Sequence, residues 1–260
     1  MVYPQTKPNL TAIVTGGGGG IGKEISRELF SKGMNVCIGD IDFESAGKTV
    51  KELDPEGSRT LAVSLDVSKA REALRVVEKV FARFGRVDVL VNNAGIAPSK
   101  ENRRINIAEI DEEEWDQVMA VNLKGVFNCS KEVMDHMIQN RYGKIVNMAS
   151  IAGLTGGGGG AAGAHYAASK AGIIALTKAL AWELGPFGIN VNAIAPGLVA
   201  GTALSLPIPA EVLEKRREAL PIRRLGKTGD ISKLVAFLVS EDAGYIHGET
   251  IVIDGGMVMR

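Results

Sequence analysis

Tyr166 and Lys170 stand four residues apart in the run Tyr166-Ala167-Ala168-Ser169-Lys170, a spacing that puts an ammonium one helical turn from a phenol on the same face. A phenol that gives and takes a proton near neutral pH needs its pKa brought down from about 10. Reaching ~7 takes roughly 4 kcal/mol of preferential phenolate stabilisation, and a nearby cation is one source of it. Ser150, closing an apolar run, has a hydroxyl suited to holding a substrate hydroxyl or carbonyl oxygen. Asn122 is polar within the otherwise apolar Val118-Met119-Ala120-Val121-Asn122-Leu123. It either holds a water in a proton relay or bonds to a neighbouring carbonyl.

A second group of residues lies nearer the amino terminus. Thr15-Gly16-Gly17-Gly18-Gly19-Gly20-Ile21-Gly22 separates a short apolar run from a helical pattern. Glycines there permit positive φ and close backbone approach, and the free N–H groups of the following helix face an anion such as a pyrophosphate. The spacing is Gly16-x-x-x-Gly20-x-Gly22, with Gly18 and Gly19 inside it. Asp40 ends the next apolar run, eighteen residues after Gly22, where a carboxylate reaches the ribose hydroxyls of a dinucleotide. It accepts hydrogen bonds from a diol and repels a 2′-phosphate. No arginine or lysine follows in Ile41, Asp42 or Phe43, so NAD is expected over NADP. Asp66-Val67 is placed to meet the adenine, and Asn92-Asn93-Ala94-Gly95 to brace the sheet and line the cofactor. The positive charge of an oxidised nicotinamide would add to that of Lys170 beside the phenol.

Such residues need a frame. Thr11 to Thr15, Asn35 to Asp40, Thr60 to Asp66, Val87 to Asn92, Lys144 to Ser150, Asn190 to Ala195 and Thr250 to Asp254 read as seven strands. Several are continuous Val/Ile/Leu/Ala runs, as strands buried on both faces require. Ile21 to Lys32, Ala70 to Phe84, Glu112 to Asn140 and Ser169 to Leu184 carry helical apolar spacing. Alternating strand and helix predicts right-handed crossovers and a seven-stranded parallel sheet with helices on both faces, a single doubly wound α/β domain. A second glycine patch, Gly156 to Gly160, falls in the loop between Ser150 and Tyr166 and reads as a flap or a tight small-residue turn.

Taken together, these motifs resemble a classical short-chain dehydrogenase/reductase, from Thr11 to Met257. Thr15 to Gly22 resembles the family's Thr-Gly-x-x-x-Gly-x-Gly, and Asn92 to Gly95 its Asn-Asn-Ala-Gly. Asn122, Ser150, Tyr166 and Lys170 resemble its catalytic tetrad. The resemblance implies Tyr166 as general acid/base and Lys170 as ribose anchor and pKa-lowering group. It implies Ser150 as substrate-orienting hydroxyl and Asn122 as support for a proton relay. Pro196-Gly197 would turn beside the nicotinamide, with Val199 and Thr202 near its carboxamide. The closing segment Gly248 to Met257 is similar to that of 3-oxoacyl-acyl-carrier-protein reductases, a subgroup that usually uses NADPH, against the preference Asp40 implies. Two departures stand out. Ser150 and Tyr166 are sixteen residues apart, a longer separation than the family's usual one, and the threonine after Pro196-Gly197-x-Val comes one residue late, with Gly201 in its expected place.

Composition narrows the remaining possibilities. Thirty basic residues balance thirty acidic ones, leaving no net field to draw the chain to nucleic acid or anionic lipid. Cys37 and Cys129 have neither disulfide nor metal-ligand spacing, and no metal is expected. His136, His165 and His247 are scattered, although His165 directly precedes Tyr166 and is placed to line a substrate pocket. Met1 to Asn9 lacks the build of a secretion signal, and no stretch approaches the ~18 uninterrupted apolar residues of a membrane span, so a cytoplasmic protein is expected. The reading is an NAD-dependent oxidoreductase acting on a 3-hydroxyacyl thioester, a polyol or sugar, or a cyclic alcohol. A dinucleotide-binding regulatory protein without catalysis is the alternative. A homotetramer is expected from the family resemblance and from the surplus of apolar residues such as Val126, Phe127, Val133, Met134, Ile173, Leu176, Leu180 and Trp182 on the long helices.

Overall fold

The computed structural model describes residues 10–99, 105–157, 163–203, 205–206 and 208–259. Among them, β1 (Thr11–Thr15), β2 (Asn35–Asp40), β3 (Thr60–Ser64), β4 (Val89–Asn92), β5 (Gly143–Met148), β6 (Ile189–Pro196) and β7 (Thr250–Ile253) form one sheet. All its ladders are parallel, in the order β3-β2-β1-β4-β5-β6-β7. The chain winds outward from β1 through β2 to β3, then crosses back to β4 and winds the other way. This reversal opens a crevice at the carboxyl ends of β1 and β4, where open α/β sheets bind ligands.

Strand residues alternate between two cores, as a pleat with period two requires. Ala12 and Val14 point into a core with Ile25, Leu29, Ile231 and Val235. Their neighbour Ile13 points into the opposite core with Val76, Val80, Val133 and Met137. The first core lies under α1 (Gly20–Ser31), the second under α3 (Ala70–Phe84). Both helices lie within a residue of where apolar spacing places them.

Other helices depart from expectation for identifiable reasons. The α2 helix (Phe43–Leu53) was not expected, because the residues it buries, Ala46 and Thr49, are too small to write an apolar stripe. Its start is specified by Asp42, whose carboxylate accepts hydrogen bonds from the Ser45 N–H at 3.1 Å and the Ser45 hydroxyl at 2.6 Å. Glu112 to Asn140 is not one helix. It is α4 (Glu112–Met119), a π-helical turn (Ala120–Lys124) and α5 (Gly125–Asn140). After β5 comes the short α6 (Ala152–Thr155).

The α7 helix (Ala164–Leu184) starts five residues before the expected Ser169, because three of the five residues from Ala164 to Ala168 are alanine, the best helix former. Tyr166 and Lys170 therefore share one rigid helix. Two further helices were not expected: α8 (Ala210–Ala219), which buries no side chain, and α9 (Thr228–Leu238), which buries Ile231, Ser232, Val235 and Leu238. The expected strands Thr60 to Asp66, Lys144 to Ser150 and Thr250 to Asp254 each end one or two residues early, where the chain leaves the ladder to form the crevice rim. Gly156 and Gly157 take positive φ of 69° and 76° as a turn after α6; Gly158, Gly159 and Gly160 lie outside the described residues. Among the described residues no helix is long and apolar enough to cross a membrane.

Candidate active site

The turn between β1 and α1 is held by its neighbour strand. Thr15 Oγ1 accepts the N–H groups of Asn93 and Ala94, both at 3.0 Å. Asn93 Nδ2 donates to the carbonyls of Thr15 and Gly16, again at 3.0 Å. Gly16 and Gly20 have φ of +64° and +51°, in the region that favours glycine. A Cβ on Gly22 would lie 2.0 Å from the Gly16 carbonyl oxygen, so only hydrogen lets α1 begin this close to the turn. Gly19 caps α1 without a side-chain bond and faces open space. The first-turn amides are thus left to an outside anion.

Asp40 sits on the rim of this turn. Its Oδ2 accepts the Gly18 N–H at 2.9 Å and its Oδ1 the Asp42 N–H at 3.0 Å. Ile41 beside it is 74% exposed. Asp66 spends its carboxylate on the turn into α3, where it accepts from the Ser68 N–H and hydroxyl and pairs with Lys69 at 3.1 Å. The Val67 side chain is buried against Gly125, and its carbonyl accepts Asn128 Nδ2 at 2.8 Å.

A cavity of about 160 Å³ opens at the crevice, lined by Ile21, Asn93, Gly95, Met148, Ala149, Ser150, Tyr166, Lys170, Pro196, Gly197, Leu198, Val199 and Thr202. It collects side chains from the glycine turn and the ends of β4, β5 and β6, with the first turns of α7. Met148, Ala149 and Leu198 were not singled out from the sequence, because apolar wall residues carry no chemical signature.

The late threonine is explained by Gly201, whose φ of +72° makes a left-handed step. That step returns Thr202 to the cavity, where its hydroxyl donates to the Val199 carbonyl at 3.2 Å. Gly197 is held to β7, its N–H donating to the Ile253 carbonyl at 3.0 Å, and a Cβ there would meet Asp254 at 2.8 Å.

On α7, Lys170 Nζ donates to the Met148 carbonyl at 2.7 Å and stands 5.6 Å from the Tyr166 ring centroid. Burial lowers the Lys170 pKa to about 8, because a low-dielectric site disfavours its charged form. Burial raises the Tyr166 pKa, and a hydrogen bond with Ser150 opposes the rise without reversing it. Ser150 Oγ also accepts the Ala152 N–H at 3.1 Å, which fixes the hydroxyl.

Asn122 lies in the π turn and is fully buried. Its Nδ2 donates to the Ile96 carbonyl at 2.9 Å and to Ser169 Oγ at 3.0 Å, and its Oδ1 accepts the Ile96 N–H at 2.8 Å. Of the two sequence readings, its side chain fits the one that bonds to a neighbouring carbonyl. π turns of this kind are frequent at functional sites, and this one breaks the expected long helix to deliver that amide. Ser169, missed from the sequence, passes the contact on by donating to the Tyr166 carbonyl at 2.8 Å.

Other candidates lie away from the cavity. Cys37 and Cys129 are free and buried, and burial pushes both thiols up to about 12, which makes them inert. His247 bridges the Ala181 carbonyl and the Val191 N–H. His165 does not line the cavity; it is fully buried against α4.

The pattern of the family described as Enoyl-(Acyl carrier protein) reductase matches residues 17–258. The 3-oxoacyl-[acyl-carrier-protein] reductase FabG of Staphylococcus epidermidis is 42% identical over 255 residues, covering 96% of this chain and all of that protein. A (2S)-[(R)-hydroxy(phenyl)methyl]succinyl-CoA dehydrogenase subunit of Thauera aromatica is 37% identical over 252 residues, 95% of this chain and 96% of that one. The crystal structure of a Brucella melitensis 3-oxoacyl-[acyl-carrier protein] reductase with bound NAD superposes with a TM-score of 0.89 at 31% identity, over 100% of this chain and 97% of that one. The chain belongs to the short-chain dehydrogenase/reductase family of oxidoreductases, in its 3-oxoacyl-acyl-carrier-protein reductase-like branch.

Proposed function

We propose that this chain is an NAD-dependent ketoreductase that interconverts a 3-oxoacyl thioester and its 3-hydroxy form, with Tyr166 as the general acid and base. The observation that carries this reading is the convergence of Ser150, Tyr166 and Lys170 on one cavity beside the glycine turn. A bound dinucleotide would supply the hydride acceptor or donor. Its pyrophosphate would lie on the uncapped start of α1, its ribose near Asp40 and Lys170, and its nicotinamide near Pro196, Gly197, Val199 and Thr202.

Tyr166 gives its proton to the carbonyl oxygen as the ketone is reduced and takes it back on oxidation, while Ser150 holds that oxygen within reach. Lys170 favours the phenolate only while charged. Because burial alone raises the phenol, Tyr166 stays protonated near neutral pH in the absence of a further positive charge, which suits an acid in the reductive direction. Asn122 holds α7 through Ser169 and so supports the phenol from behind.

The matched family's description names a carbon–carbon double-bond reduction, whereas several relatives are named for carbonyl reduction. The Ser150 hydroxyl bonded to the phenol favours the second, since it presents two hydrogen-bonding groups to one oxygen. The thioester substrate is carried over from the Staphylococcus and Thauera proteins; polyols and cyclic alcohols remain the comparison substrates.

The NAD preference is supported by Asp40, a carboxylate on the rim of the glycine turn that would repel a 2′-phosphate brought close to it. The assembly proposed is a homotetramer: Trp182 and Phe127 are 89% and 49% exposed on α7 and α5, and Met257 and Met259 are exposed in the tail after β7. Val126, Val133, Ile173 and Leu180 are instead core residues.

Steady-state dinucleotide absorbance tests the reading, with 3-oxoacyl, enoyl, polyol and cyclic-ketone substrates against NADH and NADPH. The 3-oxoacyl thioester with NADH should give the highest kcat/KM. Turnover of the enoyl thioester alone, or of none, would overturn it.

A further inference from the structure

Glu114 on α4 and His165 in the first turn of α7 meet in the interior. His165 Nε2 lies 3.0 Å from Glu114 Oε1, and the imidazole is fully buried. The approach lacks hydrogen-bond alignment. Among the described residues, neither ring nitrogen nor Glu114 Oε1 has a hydrogen-bond partner. Buried polar atoms left in this state are costly and rare, and a leucine at position 165 would avoid the cost.

The surroundings make room for the ring. A Cβ on Gly163 would lie 2.6 Å from His165 Cε1 and 2.7 Å from Nδ1, so a side chain there would displace the imidazole. The backbone at Glu114 is fixed by the helix cap, where Asp111 Oδ1 accepts its N–H at 2.8 Å.

The α4 helix and the π turn that follows it grip α7 at two levels. Glu114 meets His165, the residue before Tyr166, and Asn122 meets Ser169, the residue before Lys170. His165 and Ser169 are four apart and share one face of α7, about 100° round the helix from the face that Tyr166 and Lys170 turn to the cavity.

We propose that Glu114 and His165 form a positioning pair that sets the Tyr166 phenol relative to Ser150. The inference rests on the reading of Tyr166 as the acid and base. Neither residue lines the cavity; the pair acts through the helix start. A misplacement of an ångström at a reacting group costs up to ~10²-fold in rate, so a loosened first turn should appear in kcat before it appears in binding.

The test is a set of variants assayed for kcat, dinucleotide KM and melting temperature. His165→Leu and Glu114→Ala should each lower kcat roughly tenfold, with dinucleotide KM within about twofold. The double variant should fall no further than the worse single one, because both remove the same contact. His165→Gln keeps an amide donor near Nε2 and should restore most of the rate. The inference is overturned if His165→Leu turns over normally, if the two losses multiply, or if His165→Gln is as slow as His165→Leu. A Tyr166→Phe control separates the levels: if it is inactive while the His165 variants are normal, only the positioning role fails. If Tyr166→Phe is active, the reading of the site fails with it.

Discussion

The Lys170 ammonium and the Met148 carbonyl are joined by a 2.7 Å hydrogen bond that ties the second turn of α7 to the end of strand β5. The bond holds a buried cation whose pKa has fallen to about 8 from the ordinary 10.5. Its folded-state value is thus depressed, and the unfolded chain binds the proton more tightly.

Between pH 8 and 10.5 the unfolded state therefore carries more charge on this residue than the folded one, and raising the pH through that window stabilises the fold. Below about pH 8 the burial penalty is present in full. Chemical denaturation of the wild type and Lys170→Met across this range should show wild-type stability gaining on the variant by on the order of 3 kcal/mol. A difference that is flat with pH would mean Lys170 is not desolvated as described. Ketone reduction needs the charged form, so its kcat/KM should decline as pH rises past about 8.

Glycines of the first turn should differ sharply in tolerance. Gly22→Ala places a methyl 2.0 Å from the Gly16 carbonyl oxygen, and backbone cannot yield as a flexible side chain would. The loss of stability should be about 3 kcal/mol or more. Gly19→Ala meets nothing within 4 Å and lies at an extended φ of −154°. It should leave stability within about 1 kcal/mol while weakening dinucleotide binding. Thermal melts with and without NAD check both, and equal melting temperatures for the two variants would contradict the packing argument.

The parallel sheet and the glycine turn after β1 were legible because their signals are local. Val14, Ile38, Val91 and Val146 write continuous apolar runs, and Gly16 to Gly22 interrupts them between strand and helix. What escaped depends on distance in space. The break at Asn122 exists to reach Ile96 and Ser169, and no spacing in the helix announces it. The helix from Phe43 to Leu53 buries alanine and threonine, and the one from Ala210 to Ala219 buries nothing, so apolar periodicity is silent for both. Motif spacing brought Tyr166 and Lys170 together, but it is silent on the burial that raises the phenol in the unliganded chain, because burial is a tertiary property.

Cofactor choice should turn on the rim carboxylate. Wild-type kcat/KM should favour NAD over NADP. Asp40→Ala with Ile41→Arg should move the ratio toward NADP by roughly tenfold or more, since repulsion is removed and a guanidinium pairs the 2′-phosphate. Asp40→Ala alone also frees the Gly18 N–H, so affinity for both dinucleotides should drop in the single variant. Wild-type preference for NADP would contradict the role given to Asp40.

Light scattering should report about four times the 27.5 kDa chain mass. Trp182→Glu replaces the most exposed aromatic ring of α7 with a charge and should lower the assembly state without altering the fold. A wild-type monomer at micromolar concentration would contradict the tetramer.

The most direct test is the rate of 3-oxoacyl thioester reduction by Tyr166→Phe, measured beside its NADH dissociation constant. The substitution keeps the ring packed between Ser150 and Lys170 and removes only the hydroxyl. Turnover should fall by at least the ~10²–10⁴-fold typical of general acid–base catalysis, with NADH affinity within a few-fold. Near-normal turnover in Tyr166→Phe would contradict the assignment of the phenol as the proton donor and with it the mechanism proposed for this site.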